Sequence, residues 1–128
     1  MTNICRKFVS KLEKNKIILS AMHPDKVEQL LKLLSEEPDD PFLLYALALE
    51  YDKTGHTEQA EKMYSILLTQ HSSYTPTYYH AATHYIKSRN YQKAKQVIEA
   101  GLIQTKNEGN MKAHKELYFL LDELPEDT

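Results

Sequence analysis

One stretch of this chain repeats itself, and the repeat constrains the fold more than any other feature. With a shift of 34 residues, positions 41–70 fall on positions 75–104. Tyr45 then meets Tyr79, Ala48 meets Ala82, Tyr51 meets Tyr85 and Lys53 meets Lys87. Ala60 meets Ala94, Leu68 meets Leu102 and Gln70 meets Gln104. A fixed period of about this length, each unit holding two amphipathic helical patterns, points to a helix–turn–helix solenoid. Most of the matched residues are small or aromatic, the sizes that set how closely two helices approach.

Each period can be read as a helix pair. In the first, Leu44, Leu47, Ala48 and Tyr51 recur at the spacing of one helix face over residues 41–54. Gly55 is placed to end that helix in a left-handed conformation, and Thr57 is the expected cap of a second helix over 57–71. Ala60, Tyr64 and Leu67 form the facing stripe, and alanines at 48 and 60 allow close backbone approach. The second period repeats the plan. Thr75-Pro76 opens a helix over 76–88, with Tyr78, Ala81, Ala82 and Tyr85 on one face. Asn90 caps a partner over 91–105, whose stripe is Ala94, Ile98 and Leu102. Ahead of the repeats, Val27, Leu30, Leu31 and Leu34 stripe a helix over 25–36, stopped by Pro38, with Asp40 capping the next. Behind them, Asn107-Glu108-Gly109 breaks the chain, and Asn110 caps a last helix to about Glu123. Met111, His114, Leu117, Leu120 and Leu121, with Phe119 less well placed, give that helix its apolar side.

The positions of the small and aromatic residues resemble those of the tetratricopeptide repeat family. The resemblance runs over roughly residues 25–123 and is strong over 41–104. It implies an all-α fold, a short right-handed solenoid of about six to seven antiparallel helices. It divides residues 23–128 into a half repeat (24–37), repeat one (41–74), repeat two (75–108) and a capping helix (110–123). The sequence departs from the family pattern at four places. Arg89 replaces the turn glycine, Gly101 and Leu67 stand where alanine is usual, and Lys106 takes the closing-proline slot.

Composition narrows the function. With 41% hydrophobic and 27% charged residues, the chain matches ordinary globular proteins. A net charge of −2 leaves no overall footprint for nucleic acid. Cys5 is the single cysteine, so no internal disulfide exists and a cytoplasmic home is the expectation. Residues 1–22 stand apart, with five basic residues against Glu13 alone. Ile4, Cys5, Phe8, Val9 and Leu12 fall at helical spacing there, while Ile17-Ile18-Leu19 is too short to span a membrane. Three readings stay open: a helix leaning on the first repeat, a leader ahead of a true start at Met22, or a basic amphipathic helix that docks on a partner or an anionic membrane.

Chemistry finds few residues to use. His80 and His84 stand four apart, a spacing that suits a metal, but the glutamate of the H-E-x-x-H pattern is missing. A third ligand would have to come from His71 or His114. The bland reading is that the two flank a packing face. The three glycines are isolated, so no phosphate loop exists and no cofactor is expected. The family resemblance instead implies a concave groove for a peptide or protein partner, lined by first-helix residues. Carried over by position, these are Phe42, Tyr45, Leu49, Asp52 and Lys53 from the first repeat. Tyr79, Thr83, Ile86 and Lys87 come from the second, with Ala113 and Leu117 from the cap. Members that clamp the acidic tails of heat-shock chaperones carry lysine and asparagine at the slots of Tyr45 and Leu49, so that mode is not expected. The expectation is a non-enzymatic adapter. The second reading is a self-associating helical module, because two repeats fall short of the about three a solenoid usually needs.

Overall fold

The computed structural model describes residues 24–128, and the questions raised by residues 1–22 lie outside them. Those described residues are all-α, with six helices and no strand. They form two compact units, 24–70 and 71–128. The first holds α1 (Pro24–Glu36), α2 (Pro41–Lys53) and α3 (Thr57–Gln70); the second holds α4 (Pro76–Lys87), α5 (Tyr91–Glu108) and α6 (Met111–Asp122).

In the first unit α2 packs against both α1 and α3. Val27, Leu31 and Leu34 bury the inner stripe of α1, while Leu33 stays exposed. Leu44, Leu47, Ala48 and Tyr51 of α2 are fully buried, as are Ala60, Met63, Tyr64 and Leu67 of α3. Each large apolar side chain so enclosed is worth about 1.5–3 kcal/mol against leaving it in water. Asp40 opens α2 by accepting from the Phe42 N–H at 2.9 Å. Lys26 on α1 reaches Glu50 on α2 at 3.4 Å, and Glu50 keeps only 7% of its surface exposed. Tyr51 places its hydroxyl where no described group bonds it, and burial pushes its pKa up to about 12.

In the second unit α4 packs on α5, and α6 touches both. Tyr78, Ala81, Ala82, Tyr85, Ala94, Val97 and Ile98 form its core with Leu117 and Leu120 of α6. The stripe expected for α6 is thus corrected: Leu117 and Leu120 are buried, but Met111 and Phe119 face solvent. Helix α5 runs to Glu108, three residues past its expected end, and the break falls at Gly109.

The helix ends show the period most directly. After α2, the Gly55 N–H donates to the Asp52 carbonyl and the His56 N–H to the Tyr51 carbonyl, at 3.3 and 2.8 Å. After α4, Arg89 donates to Ile86 and Asn90 to Tyr85, at 3.0 and 2.8 Å. These are two copies of one helix-ending motif, 34 residues apart, and Gly109 with Asn110 makes a third after α5. The motif needs a positive φ at its pivot: +81° at Gly55, +71° at Gly109 and +61° at Arg89. Thr54 and Ser88 also match, each hydroxyl donating back to carbonyls of its own helix.

Two expected caps are corrected. Thr57 lies inside α3, whose first turn is closed by the Ala60 N–H donating to the His56 carbonyl at 3.0 Å. Thr75 makes no cap bond to α4 and spends its hydroxyl elsewhere. Asn90 and Asn110 cap as expected, accepting from the Lys93 and Ala113 N–H groups.

Candidate functional site

The second unit carries a cleft of about 290 Å³ between α4 and α6. Thr75, Pro76, Tyr79 and His80 line one side, from the first turns of α4. Asn110, Lys112, Ala113, Glu116 and Leu117 line the other, from the first turns of α6. Tyr79, Ala113 and Leu117 are three residues that the sequence assigned to a groove, and the fold brings them together. Leu117 is corrected in kind: at 1% exposure it is floor, and only its edge is available to a ligand.

Packing beneath the cleft fixes the two walls. Gly101 on α5 has no room for a side chain, since a Cβ there would stand 2.8 Å from Leu117 Cδ1 and 2.8 Å from Tyr78 Cβ. The glycine at this alanine position is therefore what lets α5 seat α4 and α6 so closely. Thr105, fully buried, donates to the Gly101 carbonyl at 2.8 Å and lies 3.0 Å from His114 Nδ1, which pins the start of α6. At the mouth, Glu108 accepts from the Thr75 hydroxyl at 2.6 Å, from Gln104 at 3.3 Å and from Asn110 at 3.4 Å. The Thr75 bond, with the other two, holds the Glu108 carboxyl below its ordinary value against a smaller opposing effect of burial. Tyr78 donates to the Ser72 carbonyl at 2.6 Å, and its pKa is raised by burial and then by nearby Glu108.

The remaining expected residues of α4 continue away from the cleft. Thr83 donates to the Tyr79 carbonyl at 2.8 Å, Ile86 is half-buried, and Lys87 is exposed at the helix end. In the first unit, α2 presents Phe42 and Lys53 to solvent, with Tyr45, Leu49 and Asp52 half-buried. Asp52 accepts from the Tyr64 hydroxyl at 3.3 Å.

Sequence reasoning missed the polar rim of Thr75, His80, Asn110, Lys112 and Glu116. Thr75 and Asn110 were visible as helix starts, but nothing local shows that two helix starts 35 residues apart converge. His80 lies beside the cleft with its ring edge-on to Tyr79, at 5.5 Å between centroids, whereas His84 is buried. Among the described residues no three His, Cys, Asp or Glu side chains are grouped to hold a metal ion. None of their helices is long and apolar enough to cross a membrane.

The cleft thus offers an apolar floor with a phenol, an imidazole, an amide, one cation and one carboxylate around it. No protein-family model matches the chain, and no curated protein or solved structure matches it.

Proposed function

We propose that this chain is a non-enzymatic, tetratricopeptide-like adapter of the cytoplasm that holds a peptide or protein segment against the first helices of its repeats. The observation that carries the reading is the α4–α6 cleft with Tyr79 on its wall. Its volume, about 290 Å³, is at the lower limit for a small-molecule pocket and suits one or two side chains of a peptide. Tyrosine supplies wide apolar contact with a hydroxyl at the tip, which is why it is common in interface cores. Lys112 and Glu116, at the same rim, would orient a segment carrying both signs of charge. Tyr45 occupies the matching position of the 34-residue period on α2.

The test is selection of binding peptides from a displayed random library, followed by titration of the best one. Tyr79→Ala should weaken it by about 30-fold, the loss of a central aromatic contact of roughly 2 kcal/mol. Helicity should be retained and the unfolding midpoint should fall only modestly, since Tyr79 keeps 37% of its surface exposed. Unchanged affinity in both Tyr79→Ala and Tyr45→Ala would overturn the assignment.

A further inference from the structure

The outer face of α6 is both apolar and charged in an order that its own helix disfavours. Met111 is 68% exposed and Tyr118 55%, on the side opposite buried Leu117 and Leu120, and Phe119 at 61% borders them. Met111, Lys115, Tyr118 and Asp122 recur at i, i+4, i+7 and i+11, one continuous stripe. The basic residues Lys112 and Lys115 stand in the N-terminal half, and Asp122 and Glu123 at the C-terminal end. A helix carries partial positive charge at its N-terminus and negative at its C-terminus, so Lys112, Asp122 and Glu123 sit at the wrong ends for an isolated helix.

The same order is favourable against an antiparallel copy of itself. Laying a second α6 across a two-fold axis near Tyr118 brings Lys115 of each copy opposite Asp122 of the other, twice by symmetry. Lys112 comes within a turn of Glu123, the helix dipoles oppose, and Tyr118 and Phe119 are covered together near the axis. A two-fold interface needs a self-complementary patch, and this stripe is one. We infer that the exposed stripe of α6 is a docking surface for a second copy of this chain, paired antiparallel into a homodimer. A 12-residue helix is only about 18 Å long, so the contact belongs to the small, dissociable class.

The experiment is sedimentation equilibrium of the full chain between about 10 μM and 1 mM, the range in which a weak dimer dissociates. The native chain should shift from monomer to dimer. Lys115→Glu and Asp122→Lys, both at exposed positions, should each weaken pairing about tenfold or more by setting like charges opposite one another. Mixed one to one, the two variants should dimerise again. In the mixed pair the glutamate introduced by the first substitution faces the lysine introduced by the second, while the unchanged Lys115 and Asp122 face each other across the axis. Circular dichroism identifies any variant that has lost its helices, and the mixing result stands on folded chains. A native mass that stays monomeric throughout, or a dimer indifferent to both reversals, would overturn the inference.

Discussion

Arg89 occupies the pivot that Gly55 and Gly109 fill elsewhere, at φ +61°. A side chain in this region sets Cβ against the backbone at a cost of about 1 kcal/mol. Glycine removes that strain but loosens the unfolded chain, so the two effects partly offset. Arg89→Gly should therefore stabilise the protein by no more than about 0.5 kcal/mol, and Gly55→Ala should destabilise it by about 1 kcal/mol. Nothing lies within 4 Å of a Cβ built on Gly55, so backbone conformation alone decides the second result. Denaturant unfolding of the two variants checks both. The departure at Arg89 was legible in the sequence as a missing glycine. Its consequence was not, because an arginine in that slot could have changed the turn instead of straining it.

At the level of helices, closeness of approach governs the second unit. Gly101→Ala puts a methyl 2.8 Å from Leu117 Cδ1 and 2.8 Å from Tyr78 Cβ, contacts that both helices must yield to relieve. Overpacking of this kind costs about 1–3 kcal/mol. We expect that loss in urea unfolding, together with weaker binding of any peptide selected on the native cleft, whose floor is Leu117. A variant as stable as the native chain would mean that α4 or α6 shifts freely, and would count against a cleft shaped by packing. The helices themselves were readable from the 34-residue repeat and from Asp40, Asn90 and Asn110 as caps. What the sequence hid were bonds between distant positions. Thr75 looks like a cap until Glu108, 33 residues on, takes its hydroxyl. Likewise Met111 and Leu117 look alike on a helical stripe until α4 and α5 are seen to cover only the second.

For the molecule as a whole, shifted groups set opposite limits in pH, Glu108 on the acid side and Tyr51 with Tyr78 on the alkaline side. Glu108 titrates below its ordinary value of 4.5 when folded. Its contribution is complete above that value and disappears as pH falls through the lowered folded value. Tyr51 titrates at about 12 when folded and near 10 when unfolded, so its contribution is complete below pH 10 and is lost as pH climbs towards 12. Thermal unfolding midpoints should form a plateau with a shoulder at each end. Glu108→Gln should reduce the acid shoulder, and Tyr51→Phe the alkaline one, to which Tyr78 also contributes. If neither variant alters its own shoulder, the two assignments are wrong.

The turns after α2 and α4 are closed by the same pair of main-chain hydrogen bonds, with the Thr54 and Ser88 hydroxyls repeating beside them. Beyond a pivot that can hold a positive φ, such a joint asks little of its letters, so Thr54-Gly55-His56 and Ser88-Arg89-Asn90 are two spellings of one bend. A gene that copied the 34-residue block once more would have to invent nothing new to bend the chain between its two helices.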